Sequence, residues 1–118
     1  MIDPEMQKHS PADLLVMWLK EREIQNQSKH TLQAYERDVS DFLNFCAVKK
    51  LSLMNVESTD LREFLAQKVE QQQLSSSSLQ RLLSSIRQFM KWAEQGQYLA
   101  FNATDDFHKQ ALLKVIPK

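Results

Sequence analysis

Two sets of polar residues recur at helical spacing, and each set combines basic side chains with amides or hydroxyls. At about 100° per residue, the first set falls within an arc of about 80° that contains no carboxylate: Lys29, Gln33, Arg37, Ser40 and Asn44. The second set is Ser77, Arg81, Ser84 and Gln88, flanked by Gln80, Arg87 and Lys91. Lys and Arg can neutralise phosphate or contact guanine, and Gln and Asn can read adenine. Both sets suit DNA, although an ordinary solvated helix face would have the same composition.

Catalytic and metal-binding patterns are not found in the sequence. The histidines His9, His30 and His108 lie far apart, and none has a metal-ligand spacing to Cys, Asp or Glu. The single cysteine, Cys46, lies on an apolar stripe and is interpreted as a small core residue. One glycine cannot build a Gly-rich phosphate loop, and the two tyrosines are not interpreted as nucleophiles. We therefore expect no metal and no cofactor.

Composition limits the class of protein. The chain has 118 residues, 42% of them hydrophobic, which suits one globular domain with a core. Fifteen basic residues offset fifteen acidic ones, so a uniformly basic nucleic-acid coat is excluded. The chain has one cysteine, no apolar run near the roughly 20 residues of a membrane span, and a start unlike a signal peptide. These features predict a soluble cytoplasmic protein with no membrane partner.

One glycine and three prolines favour helices over β-structure, which needs more turn residues. Start signals followed by apolar periodicity predict an all-α bundle of four main helices. These cover Pro11–Arg22 behind Ser10, Lys29–Val48 behind Ser28, a third helix capped by Ser58 or Thr59 and ending near Val69, and Ser76–Gln95, with Gly96 as the stop. The serines of 75–78 are interpreted as a loop and helix cap rather than a flexible linker.

Each predicted helix has an apolar face. The expected core residues are Leu14, Leu15, Trp18 and Leu19; Leu32, Tyr35, Val39, Phe42 and Cys46; Leu61, Phe64, Leu65 and Val69; and Leu79, Leu82, Leu83, Ile86, Phe89, Met90 and Ala93. Tyr35 should pack its ring in the core and give its hydroxyl one polar partner. The second and fourth helices lie in positively charged segments, +1 for 28–50 and +2 for 74–97, whereas 1–27 and 51–73 each carry −2.

The domain is expected to cover residues 10–107. An N-terminal extension would occupy 1–9, a short turn or helix is expected within 98–107, and 108–118 would form a tail or linker.

Two runs that hold all but Ser77 of the two polar sets resemble a known family. Residues 28–45, SKHTLQAYERDVSDFLNF, look like the start of the N-terminal core-binding, SAM-like domain of tyrosine recombinases. Residues 78–92, SLQRLLSSIRQFMKW, are similar to the last long helix of that domain. A weaker middle helix, marked by Val56, Asp60–Leu61 and Phe64–Leu65, extends the resemblance over roughly residues 10 to 118. The pattern is most similar to the Xer-type branch of the phage integrases.

The resemblance implies that the domain clamps one side of a recombination site, with the second and fourth helices toward the major groove. By position in the motifs, the implied DNA contacts are Lys29, Thr31, Gln33, Arg37, Arg81, Ser84, Arg87, Gln88 and Lys91. Most should contact phosphate, and Arg81 and Gln33 are the candidates for base edges. Thr31 lies toward the core side of its helix, so a first-turn hydroxyl that bonds the backbone is an equal interpretation.

The resemblance also implies an incomplete enzyme. Residues 115–118 look like the linker to the family's catalytic domain, so the fragment itself should be inert and monomeric in isolation. The first helix and the segment after Gly96 would contact other recombinase protomers on DNA. The chain departs from the family at Ala103, where a proline often stands.

Two alternatives stay open from the sequence. A small helical protein-interaction domain would hold a partner helix in an apolar groove and have no salt-dependent DNA affinity. A helical DNA-binding regulator would have no recombinase domain downstream in its gene.

Overall fold

The computed structural model describes residues 9–99. This range holds four α-helices, a short 3-10 helix and no β-strand, which confirms the all-α expectation. The helices are α1 (Pro11–Ile24), α2 (Lys29–Val48), the 3-10 helix Leu53–Asn55, α3 (Ser58–Gln72) and α4 (Ser76–Gln95). Residues 1–8 of the expected extension, most of the expected turn or helix in 98–107 and the expected linker 108–118 lie outside the described residues. No described helix is long and apolar enough to cross a membrane.

Three of the four helices begin at the predicted serine caps. Ser10, Ser28 and Ser75 each accept a hydrogen bond from the backbone N–H three residues later, at 3.1, 3.1 and 3.2 Å. Ser75 therefore caps α4, as the loop-and-cap interpretation of the serine run requires. The α3 prediction was wrong by one or two residues. The helix begins at Ser58, so Glu57 is its N-cap residue. The Asp60 carboxylate accepts a hydrogen bond from the Glu57 backbone N–H at 2.9 Å and stabilises this start.

Two helices end where the sequence predicts, α2 at Val48 and α4 at Gln95, and the other two run longer. α1 continues two residues beyond Arg22, and α3 continues three residues beyond Val69. After each helix, one residue other than glycine adopts a left-handed backbone conformation: Asn26, Lys50, Gln73 and Gln97, with φ between 51° and 64°. These conformations turn the chain without glycine, which explains how a helical bundle forms with only one.

That one glycine ends α4 as predicted, although not through a left-handed backbone conformation. Gly96 does cap α4, but its φ is −82°, and Gln97 takes the left-handed conformation instead. A Cβ at Gly96 would lie 2.7 Å from Cε2 of Tyr98. The Tyr98 ring in turn stacks on Trp92, with 5.3 Å between ring centroids. Gly96 thus makes room for an aromatic ring rather than for an unusual backbone conformation.

The apolar faces meet in one core with an aromatic cluster at each end of α2. Trp18 is fully buried, 4.9 Å from Tyr35 and 5.5 Å from Phe89 between ring centroids. Farther along α2, Phe64 contacts both Phe42 and Phe45 at 5.3 and 5.4 Å. The predicted core residues are all buried except Leu19, Leu32 and Tyr35, which are half-buried. The core also takes in residues outside the predicted set: Phe45, Leu53, Val56 and Leu99.

The order of packing brings the two positively charged helices together. α2 packs against α1 on one side and α4 on another, α1 also contacts α4, and α3 packs on α4. Tyr35 pairs with Gln88, and Asp38 pairs with Ser85 one turn along. Since the residue numbers rise on α2 as they fall on α4, the two helices are antiparallel where they meet. We call the line between these two pairs the α2–α4 seam.

Candidate DNA-binding face

A buried carboxylate lies at the centre of the α2–α4 seam. Asp38 is 3% exposed, and its Oδ2 accepts a hydrogen bond from the Ser85 hydroxyl at 2.8 Å. The same hydroxyl lies 3.3 Å from the carbonyl oxygen of Arg81, one turn back on α4. The shorter bond to the carboxylate is charge-assisted and therefore the stronger of the two. Asp38 and Ser85 thus join α2 to α4 inside the bundle.

Two arginines from different helices meet at this carboxylate. The Nε of Arg37 on α2 lies 3.5 Å from Oδ1 of Asp38, and the Nε of Arg81 on α4 lies 4.0 Å from Oδ2. Both arginine side chains are 58% exposed, whereas the carboxylate side chain is 4% exposed. Solvent screens such half-exposed pairs, so they add little to stability. A guanidinium has more N–H donors than one such contact uses, so both arginines can also bind an anion from solvent.

A second contact at the seam holds a glutamine of the predicted site. The Tyr35 hydroxyl donates to Oε1 of Gln88 at 3.2 Å, and Nε2 of Gln88 donates to the Ser84 hydroxyl at 3.3 Å. The expected polar partner of the Tyr35 hydroxyl is therefore present. Gln88 is half-buried and Ser84 is exposed. The amide of Gln88 keeps one N–H for an outside partner, because its oxygen and its other N–H are engaged within the bundle.

The predicted residues near the start of α2 lie beside α1. Lys29 and Gln33 are exposed and line a shallow groove between the two helices, together with Glu23 and Glu36. Thr31 is half-buried, and both its backbone N–H and its hydroxyl oxygen bond to Ser28, the cap residue of α2. The N–H donates to Ser28 at 3.1 Å, and the hydroxyl oxygen accepts from Ser28 at 2.8 Å. The Thr31 hydroxyl thus contacts the Ser28 side chain and not the backbone, as the alternative interpretation would require, so a phosphate contact by Thr31 stays a prediction.

The remaining two predicted residues lie on a different side of α4. Arg87 and Lys91 are exposed. Residues two positions apart on an α-helix differ by roughly 200° around its axis, so Arg87 lies about 160° from Ser85 and from the seam. The nine predicted residues therefore form a broad surface over α2 and α4 and not a single cluster. Arg37 and Arg81 are the pair that tertiary packing brings together.

Sequence reasoning missed the two residues that connect this pair. Neither Asp38 nor Ser85 is among the nine predicted contacts. A signal for Asp38 exists in the helical pattern, because it precedes Val39 on the side of α2 that faces the core, where a carboxylate needs a partner. No comparable signal marks Ser85, since serine is common on either side of a helix.

Other chemistry has little support in this part of the chain. Within residues 9–99, no group of three or more His, Cys, Asp or Glu side chains could hold a metal ion. Cys46 is buried, as predicted. Burial raises the pKa of its thiol to about 11, and the negative charge of Asp60 acts in the same direction. A thiol of this kind is a weak nucleophile at neutral pH.

Comparison with known proteins places the whole bundle in one family. The family model described as "Phage integrase, N-terminal SAM-like domain" matches residues 15–97. A tyrosine recombinase XerC from Pseudomonas syringae pv. tomato is 42% identical over 89 residues, which are 74% of this chain and 28% of that protein. XerD from Rickettsia conorii is 31% identical over 77% of this chain, and XerC from Chromobacterium violaceum is 35% identical over 80%. The chain spans less than a third of the length of these relatives. No solved structure matches it significantly.

Proposed function

The chain belongs to the phage integrase N-terminal SAM-like domain family, and from this premise we propose that it is a DNA-binding module of a site-specific tyrosine recombinase. Its relatives are tyrosine recombinases by name. In this proposal α2 and α4 together face the double helix. The module supplies grip and register, and strand cleavage and rejoining depend on residues outside the nine predicted contacts.

One observation carries the proposal: Arg37 and Arg81, on two different helices, converge on a single carboxylate and remain 58% exposed. Two adjacent guanidiniums on neighbouring helices suit two phosphates along one DNA strand, since arginine binds phosphate through a planar fork of N–H groups. Lys29 and Gln33 extend the surface toward α1, and Arg87 and Lys91 extend it across α4. Arg81 and Gln33 are proposed to reach base edges, and the others to contact phosphate and set register.

The charge of the chain limits how tightly the module can bind alone. A net charge of zero gives no long-range attraction to DNA, so the affinity must come from the local surface of α2 and α4. We expect a dissociation constant for DNA of mixed sequence of about 10⁻⁴ M or weaker at physiological salt. Contacts with neighbouring protomers would add to the affinity for DNA. We propose that α1 makes these protomer contacts, because its Val16 and Ile24 are 52% and 80% exposed.

The test is a titration of the 118-residue chain against a fluorescent DNA duplex at about 50 and about 200 mM salt. The wild type should bind more weakly at the higher salt, because phosphate contacts release counterions. Arg81→Ala and Arg87→Ala should each weaken binding and lower the salt slope by about one. Arg62→Ala is the matched control, since Arg62 is an exposed arginine on α3, outside the proposed face.

Two results would count against the proposal. A folded wild type with no salt-dependent affinity would favour the protein-interaction alternative. An Arg62→Ala effect equal to that of Arg81→Ala would show a diffuse charge effect without a defined face. Sequencing the gene beyond Lys118 separates a recombinase from a DNA-binding regulator, because the recombinase proposal requires a catalytic domain downstream.

A further inference from the structure

The centre of the proposed DNA-binding face holds a negative charge. Asp38 lies between Arg37 and Arg81, where its carboxylate would repel the phosphates that the arginines attract. A buried carboxylate is also costly to remove from water, and an apolar residue at a helix seam is often at least as stabilising. Neither DNA attraction nor bundle stability alone explains a carboxylate at this position.

The geometry of Asp38 suits a different role. Its two oxygens are divided between the two arginines: Oδ1 lies near Arg37, and Oδ2 lies near Arg81. Ser85 fixes Oδ2 with the 2.8 Å hydrogen bond, and both Asp38 and Ser85 are buried. The carboxylate is thus a rigid anchor set in the protein interior, while the two guanidiniums that it contacts lie at the ends of long, 58% exposed side chains.

An anchor of this kind lowers the entropic cost of binding. An arginine that is free in solution loses rotamer freedom when it is fixed on a phosphate, and this loss weakens binding. A guanidinium already held near its bound position loses less. The anchor also limits the separation of the two guanidinium groups, because both contact the same carboxylate.

We propose that Asp38 is a positioning residue for DNA binding, which holds Arg37 of α2 and Arg81 of α4 in the arrangement that contacts the DNA backbone. This inference rests on the proposed function. It makes a prediction opposite in sign to simple electrostatics: removing the negative charge of Asp38 should weaken DNA binding instead of strengthening it.

The test compares Asp38→Asn with Asp41→Asn in the 118-residue chain, using the fluorescent duplex at about 50 mM salt. Asparagine keeps an oxygen that can accept from Ser85 but loses the charge that attracts the arginines. We expect Asp38→Asn to raise the dissociation constant about tenfold, as expected when two arginines must be ordered on binding. Asp41 is the matched control, because it is one turn along α2 and pairs with Lys68 of α3 at 2.8 Å. Asp41→Asn should leave the affinity unchanged or raise it slightly.

A second measurement does not depend on DNA or on the folding of a variant. In ¹⁵N-labelled wild-type protein, the Nε–H groups of Arg37 and Arg81 should show higher heteronuclear NOE values than that of Arg62. If Asp38→Asn unfolds, as judged by circular dichroism, this measurement decides, and equal mobility of all three arginines overturns the inference. If Asp38→Asn folds and binds DNA as well as or better than the wild type, the inference is wrong but the proposed function stands. If the folded wild type binds no DNA, the proposed function fails and this inference fails with it.

Discussion

The hydrogen bond between Ser85 and Asp38 makes a prediction about stability that two neighbouring serines can test. Ser85→Ala removes the donor to a buried carboxylate at 2.8 Å and leaves only the half-exposed arginines near it. Hydrogen bonds to charged groups contribute about 1.5 to 3 kcal/mol, and an unsatisfied buried acceptor adds a desolvation cost. The arginines are too exposed and too far away to replace the lost bond, at 3.5 and 4.0 Å.

Ser85→Ala also stabilises α4 slightly, which offsets part of this loss. Alanine has a higher helix propensity than serine, by about 0.5 kcal/mol in a helix interior. Ser84→Ala has this gain in the same turn of α4, and it loses only the 3.3 Å hydrogen bond from Gln88 at the surface. The difference between the two variants therefore isolates the buried bond. We expect Ser85→Ala to be about 2 kcal/mol less stable than Ser84→Ala, which corresponds to a melting temperature about 10 °C lower.

The assay is urea unfolding of the wild type and both variants, followed by far-ultraviolet circular dichroism. Equal slopes for the three proteins would show that each unfolds to a similar state, so the midpoints report stability. A difference below about 0.5 kcal/mol between the two alanine variants would refute the reasoning. It would mean that the carboxylate of Asp38 is satisfied without Ser85, and that the seam is held by apolar packing alone.

Other predictions concern the helix ends and the buried cysteine. Gln73→Gly should raise the free energy of unfolding in urea by about 0.5 to 1 kcal/mol, because residue 73 has a φ of 51°, which glycine adopts without strain. Gln72→Gly, in the last turn of α3, should lower the free energy of unfolding. If both variants were less stable than the wild type, the left-handed conformation of residue 73 would be contradicted. Gly96→Ala should lower the free energy of unfolding by about 1 kcal/mol, because the added Cβ would lie 2.7 Å from the Tyr98 ring. An equal loss when the same substitution is made in a Tyr98→Ala background would show that another contact is responsible. Cys46 should react slowly with a thiol reagent at pH 8 when native and rapidly in urea, and rapid native labelling would disprove its burial. Because the folded state raises the pKa of Cys46 from 9.0 to about 11, this residue's contribution to stability should be complete below pH 9 and be lost as the pH rises through 11.

The helices could be predicted closely because their signals are local. A serine cap needs only its own hydroxyl and a backbone N–H three residues away, and all three serine caps outside α3 lie where the sequence places them. Apolar spacing predicted the buried faces for the same reason, since periodicity around one helix does not depend on its neighbours. The turns that follow the helices were less predictable. Residues such as Gln73 and Gln97 take a left-handed conformation without any signal in their side chains, because packing of the next element requires the turn.

In the candidate site, too, the exposure of a residue could be predicted from its own helix, but its partners on other helices could not. Exposure of Lys29, Arg37 and Arg81 follows from their position opposite the apolar faces, and the sequence placed them correctly on α2 and α4. Thr31 and Gln88 differ, because their polar groups are engaged by Ser28 and Tyr35 within the bundle. A helical pattern shows which way a side chain points but not which residue of another helix it meets.

The sequence by itself therefore determined the class of fold, the span of each helix to within a few residues, the core and the family. All of these follow from short-range periodicity, capping and motif order along the chain. Only the tertiary structure decided that Arg37 and Arg81, 44 positions apart in the sequence, share one buried carboxylate, and that Ser85 holds it. The physical reason is that this contact depends on the antiparallel packing of α2 against α4. The register of that packing is set by the fit of the whole core, including Trp18, Phe42 and Phe89, and no local segment encodes it alone.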